Sequence, residues 1–297
     1  MTMIHPSATI NNLWDGWCAM PPPADGQHRY LLVNQAAWNA HRTVIRDLRS
    51  LPRQALLGQG GDACGDGATP FVIRIDGRPD EGARAWPLRA VCQTGQWACA
   101  LHLIDSPLPL QGLAHALSER CLARLSDGQE MLLRYFDTRV LAAMCDVLRP
   151  TQMQDLVSCT SAWWFANRGG EWVSMNVLDW PGEERFQAPW HLSLEQEHAL
   201  LDASEADAMI DLLTRQGQPA LLALPYGERY PAIRELLAQG KAWGLDGTTD
   251  LSAYCTLGLS QGRTFSQAEP WQSALQQVRE GRMSFIQAIE QARREEA

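Results

Sequence analysis

The sequence predicts an α/β N-terminal lobe followed by a smaller all-α C-terminal lobe. Three observations carry this. Met131–Phe136 is a short apolar run broken only by Arg134, which is the character of a strand buried on both faces. Asp137, a strong N-cap residue, then opens a stretch in which Val140, Leu141, Met144, Cys145, Val147 and Leu148 recur at helical spacing. Beyond Pro189 the pattern becomes helical throughout. A strand that passes through a capping aspartate into an amphipathic helix is half of a βαβ unit. The expected N-terminal sheet is therefore mixed and partly parallel, with flanking helices and a β-hairpin. The expected lobes are 1–190 and 191–297, divided at the Pro- and charge-rich Pro181–Pro189.

Residues 1–28 read as irregular, because Pro21-Pro22-Pro23 and Asp25-Gly26 break regular structure; Trp14 and Trp17 are expected to pack back onto the body. Tyr30–Asn34 is the first buried strand. A helix from about Gln35 to Arg49 should carry Trp38, His41, Ile45 and Leu48 on one face. Gln54–Leu57 reads as a second short strand. Gly58–Pro70 holds five glycines but lacks a Lys-Ser/Thr pair, and it runs into the strand Phe71–Ile75 rather than a helix. It therefore reads as a connection, without the oriented amides that grip a phosphate. Asp76–Pro87 is a loop and Trp97–Ile104 a strand. Pro107–Leu125 is a helix with Leu110, Leu113, Leu117, Cys121 and Leu125 on one face, closed by Asp127-Gly128. The strand–helix alternation from Trp97 to Leu148 predicts parallel pairing.

The helix after Asp137 should stop at Arg149–Pro150, since proline lacks a donor and disfavours helix in the residue before it. Thr151 with Gln154 suggests a capping box for a short helix to about Val157. Ser158–Ala166 and Glu171–Leu178 flank Asn167-Arg168-Gly169-Gly170, a hairpin signal. Tryptophans 163, 164, 172, 180 and 190 crowd this region. Sheet aromatics usually pair within a core, yet five so close exceed a hairpin's needs. Trp163, Trp164, Trp180 and Trp190 are therefore candidate partner-binding residues. Further on, helices are expected at Leu194–Asp202, Glu205–Gln216, Pro231–Trp243, Asp250–Leu259, Trp271–Arg279 and Met283–Arg294. Ser193/Gln196 and Ser204/Asp207 supply the capping signatures.

Arg134-Tyr135-Phe136-Asp137-Thr138-Arg139-Val140-Leu141 resembles the arginine-aromatic-aromatic-Asp-Pro-Arg-Val-Leu signature of the type VI secretion effector chaperones or adaptors, the domain of unknown function 4123. Thr138 stands where that family usually has proline. The resemblance extends loosely from Tyr30 to Ser284. It implies a cytoplasmic, non-enzymatic protein of a Gram-negative bacterium that binds a toxic effector polypeptide and hands it to the VgrG-type spike. Arg134, Asp137 and Arg139 are then structural-motif residues, with Arg134 paired to Asp137 or Asp146 as a buried charge must be. The effector is expected to enter near Trp180 and Trp190, or to add a strand at an exposed sheet edge.

Composition agrees with a globular protein: 45% hydrophobic and 20% charged residues. The net charge of −9 is spread over both halves, so no basic surface is offered to nucleic acid. No run reaches the ~18 apolar residues of a membrane helix, and MTMIHPSATINN lacks the pattern of a signal peptide. The eight scattered cysteines read as small core residues. Cys99 and His102, with Cys92 nearby, lack a second ligand pair, so no metal is expected. Neither a GxSxG elbow nor an HExxH helix occurs, so no catalytic residue and no cofactor is expected. Two rival readings are a hydrolase or transferase with a non-sequential active site and a scaffold component of the secretion machine.

Overall fold

The computed structural model describes residues 12–37, 48, 51–58, 69–81, 85–175, 177 and 185–296. Most of the expected helix at 35–49, with Trp38, His41 and Ile45, lies outside the described residues. So do most of the glycine-rich stretch, Trp180 and the Pro181-Gly182 step. The chain divides into two units, Met1–Leu201 and Asp202–Ala297. The division falls inside a helix rather than at Pro181–Pro189.

In the first unit, Asn12 caps α1 (Leu13–Cys18) by accepting from the Asp15 amide at 2.8 Å. This turn of helix, in a stretch expected to be irregular, buries Trp14 and Trp17. There follow β1 (His28–Val33), β2 (Arg53–Ala55), β3 (Phe71–Ile75), α2 (Ala85–Gly95), β4 (Leu101–Ser106), α3 (Leu110–Glu119), β5 (Leu122–Arg124) and β6 (Glu130–Leu132). Then come α4 (Thr138–Val147), α5 (Pro150–Val157), β7 (Ala162–Ala166), β8 (Trp172–Ser174) and β9 (Trp190–His191). Helix α2 replaces part of an expected loop. Pro87 sits in its first turn, where the missing amide costs no helical bond.

Two sheets form. The larger has the order β2-β3-β1-β4-β7-β8, and every neighbouring pair is antiparallel. The smaller has the order β6-β5-β9, and β5–β9 is the parallel pair among the described strands. The parallel pairing expected between Trp97 and Leu148 therefore does not occur in the main sheet. β4 is flanked by β1 and β7 and has no free side, so the 131 strand goes to a separate sheet. The strands buried on both faces are β1 and β4. In β1, Tyr30 and Leu32 enter the core built with α3, α4 and α5, while Leu31 and Val33 enter the core built with α1 and α2. At its start Arg29 lies across from Asp105 of β4, in a buried two-bond ion pair at 2.8 and 2.7 Å.

The run Met131–Phe136 is a correction. Its strand ends at Leu132 and is exposed, and the burial of Leu133, Tyr135 and Phe136 comes from a turn. An apolar run of this length does not distinguish a buried strand from a buried turn. The expected helix Pro107–Leu125 also ends early, at Glu119, and the chain re-enters as β5. The hairpin β7–β8 turns through Asn167–Gly170 as expected, with Gly170 at φ 72°.

The second unit, with the helix leading into it, is helical: α6 (Leu194–Arg215), α7 (Pro219–Ala223), α8 (Tyr226–Ala242), α9 (Thr248–Gln261), α10 (Trp271–Arg279) and α11 (Phe285–Glu296). The two helices expected on either side of Ser204 are one, α6. The Ser193/Gln196 cap is used instead, with reciprocal bonds of 3.2 and 3.3 Å. Helix α8 begins before Pro231, which lies inside it. Leu213, Ile233, Leu236, Tyr254, Trp271 and Phe285 meet in one core.

Candidate functional site

The signature segment folds as a corner that ties four elements together. The Tyr135 hydroxyl donates to the Leu117 carbonyl at the end of α3, at 2.6 Å. The Phe136 carbonyl faces Nε2 of His102 in β4 at 3.0 Å, and the Trp163 indole N–H of β7 faces Nδ1 at 3.2 Å. A carbonyl only accepts and an indole only donates, so the His102 proton is assigned to Nε2. Burial lowers the His102 pKa to about 4 and keeps the ring neutral. The Thr138 amide donates to the Cys99 carbonyl at 3.0 Å and its hydroxyl to the Ala166 carbonyl at 2.5 Å.

Asp137 caps α4 by accepting from the Arg139 amide at 3.0 Å. The same carboxylate takes the Arg139 guanidinium in two bonds of 3.0 and 2.8 Å. Asp137 and Arg139 therefore pair with each other. Arg134 does not do what was expected of it: it is exposed and lies over the Phe136 ring at 5.7 Å, bonded to neither Asp137 nor Asp146. The strand that was to bury it ends two residues earlier. The buried guanidinium here is that of Arg120, which sequence reasoning missed. It donates to the carbonyls of Leu156 (2.7 Å), Ala116 (2.7 Å) and Asp155 (3.1 Å) and to the Ser158 hydroxyl (3.0 Å), under the Phe186 ring. Those carbonyls close the ends of α3 and α5, where the helix dipole concentrates negative charge. A one-residue positive signal in a Leu-rich helix gave no hint of this.

The described tryptophans of the 163–190 region are engaged within the fold. Trp163 and Trp190 are buried, and the Trp190 indole donates to the Arg120 carbonyl at 2.8 Å. Trp164 is half-buried beneath the Arg29 guanidinium, and Trp172 donates to the Leu13 carbonyl. Neither Trp163 nor Trp190 offers its ring to a partner in this conformation.

The small sheet presents a different kind of surface. Leu122 of β5 pairs with Leu132 of β6, and Arg124 with Glu130, so these four side chains share one face. All four are exposed, as is His191 beside Arg124 on β9. Arg124 and Glu130 form a surface ion pair at 2.7 Å. Leu122, Met131 and Leu132 are 38%, 42% and 46% exposed, which is unusual for apolar strand residues. Strand β6 lies at the sheet's edge and pairs only with β5 among the described residues. The arrangement is an open strand edge beside an apolar face, immediately ahead of the signature corner.

Residues 29–155 match the family model described as Domain of unknown function (DUF4123). A DUF4123 domain is present. It opens at Arg29, takes in the Arg29–Asp105 pair, the β5–β6 hairpin and the corner, and ends at Asp155 in α5. The β7–β8 hairpin and the helical unit, which the looser resemblance had included, lie outside the DUF4123 match. No curated protein and no solved structure matches the chain. Among the described residues, no helix is long and apolar enough to cross a membrane, and no group of three or more His, Cys, Asp or Glu is placed to hold a metal ion.

Proposed function

We propose that the chain is a cytoplasmic chaperone or adaptor that grips a type VI secretion effector and loads it onto the VgrG-type spike, performing no chemistry of its own. Two things support the reading: the DUF4123 domain and the signature Arg134–Leu141 within it. The observation that carries it is the open edge of β6 beside Leu122 and Leu132. An extended effector segment adds to that edge as a strand, through main-chain hydrogen bonds, and sets alternate apolar side chains against the two leucines. The corner behind the hairpin is the rigid frame for this grip. Its polar groups are spent on Leu117, Cys99, Ala166 and His102 rather than held out for a substrate.

The test is co-expression of the tagged chain with an effector and the spike of the same bacterium. Effector retained in the absence of the spike is the expected result. Retention of the spike alone makes the chain a scaffold, and retention of neither removes the proposal. The paired substitution Leu122→Asp and Leu132→Asp abolishes effector retention while circular dichroism stays unchanged. Trp190→Ala is no substitute for it, because that indole holds the Arg120 carbonyl and its loss acts on stability.

A further inference from the structure

The edge of β6 has a polarity of its own. Leu133 donates to the Cys121 carbonyl at 2.7 Å and Leu125 to the Gln129 carbonyl at 2.8 Å, so the odd-numbered residues of this hairpin direct their amides and carbonyls across it. Alternation then points the backbone groups of Glu130 and Leu132 away from β5, while those of Met131 point toward it. The side chains divide differently. Glu130 and Leu132 share a face with Leu122 and Arg124, and Met131 lies on the other face with Ala123. Leu132 and Met131 are both exposed, so the edge is apolar on both faces at adjacent residues. Arg124 and Glu130 neutralise each other at 2.7 Å, which leaves no net charge there to select a charged segment.

Resting on the reading of this edge as the cargo site, we infer the class of segment it takes: an extended one with two adjacent apolar residues, one for the Leu132 face and one for the Met131 face, held through its main chain only at alternate residues. In an added strand of either direction, every second residue turns its amide and carbonyl toward β6 and the residue between turns them away. The outward groups of Glu130 and Leu132 therefore meet one member of the apolar doublet and not the other. Proline is excluded at the first kind of position, where a donor is needed, and is tolerated at the second. The edge reads hydrophobicity and backbone, not a charged or shape-specific motif.

The occupant is a segment of another polypeptide and not a second copy of this chain. Strand β6 is three residues long, and two such edges meeting each other bury far less than the ~1,000 Å² of a stable interface. A flexible segment that continues past the edge has no such limit, since the rest of its length finds contacts elsewhere.

The experiment is fluorescence anisotropy of the purified full chain with a labelled neutral peptide, Thr-Gln-Thr-Val-Leu-Thr-Gln-Thr. The expected result is saturable binding that is lost when the Val-Leu doublet becomes Thr-Thr. Methylating the amide nitrogen of one member of the doublet abolishes binding, and methylating the other leaves it intact. On the protein side Glu130→Pro removes an outward amide that no bond within the hairpin uses, and it loses the peptide; Glu130→Ala, which keeps the amide, retains it. Should Glu130→Pro alter the circular dichroism, the two methylated peptides still decide. No binding by the wild-type chain, equal effects of the two methyl groups, indifference to Thr-Thr, or peptide held by a folded Glu130→Pro chain overturns the inference. Effector retention is measured separately. An effector retained by a chain that shows no alternation with the peptide sinks this inference alone, whereas alternation with no effector retained removes the cargo reading and leaves the specificity of the edge standing.

Discussion

Arg120 shows how much one side chain can hold. Its guanidinium reaches three carbonyls on two helices and the hydroxyl of Ser158 just beyond the second. Arg120→Met fills similar space yet leaves those buried acceptors without their donor, and we expect a loss of about 3 kcal/mol in urea unfolding. Arg120→Lys recovers little of it, because one ammonium cannot span acceptors set out for a planar fork. His102 makes a prediction with a sign. Its ordinary pKa of 6.5 falls to about 4 in the fold, so the unfolded chain binds its proton first. Stability from the neutral ring is complete above pH 6.5 and declines as pH falls from there to about 4, below which this contribution is flat. The full effect is on the order of 3 kcal/mol. His102→Gln, which can still donate to the Phe136 carbonyl, should flatten urea midpoints between those pH values. A slope unchanged by the substitution would exclude His102 as its source.

At the scale of elements, the corner separates local chemistry from long-range pairing. Thr138 is the first residue of α4, a position where proline is ordinarily favourable and where the resembling family carries it. Here its amide and hydroxyl bind the Cys99 and Ala166 carbonyls, so Thr138→Pro removes two hydrogen bonds for one gain in rigidity. We expect a net loss of about 1–2 kcal/mol, read as a lower melting temperature; a stabilised variant would show that the two bonds contribute nothing. The Asp137 cap, the helix after it, the strand Phe71–Ile75 and the Asn167–Gly170 turn were legible in the sequence, because each depends on neighbours a few residues away. The open edge of β6 was not. That Glu130–Leu132 pairs with β5 and not with β4 is settled by β1 and β7 occupying both sides of β4, and no local pattern states this. Arg134 was misread for the same reason: its burial followed from a strand position that the sheet gave to Tyr30–Val33. Composition counts aromatic rings but does not say that Trp163 faces His102 and Trp190 faces Arg120.

At the scale of the whole chain, each unit is organised around its own buried residues: two cores on the faces of the main sheet in the first, one helical core in the second. The second core has a sensitive point where α8 and α9 approach. A Cβ on Gly258 would lie 2.2 Å from Cδ2 of Leu236 and within 3.2 Å of two more of its atoms. In an open helix Gly→Ala gains up to ~1 kcal/mol. Here Leu236 is fully buried and has nowhere to swing, so overpacking outweighs propensity and Gly258→Ala should cost about 1–3 kcal/mol. The cost should also be confined. Hydrogen exchange of amides in α8 and α9 should speed up, while those of β1 and β4, whose side chains belong to other cores, keep their protection. Loss of protection in both places at once would mean that the chain opens only as a single cooperative body. Exchange confined to the helices would mean that the strand edge and corner proposed to hold cargo keep their shape while the second unit breathes.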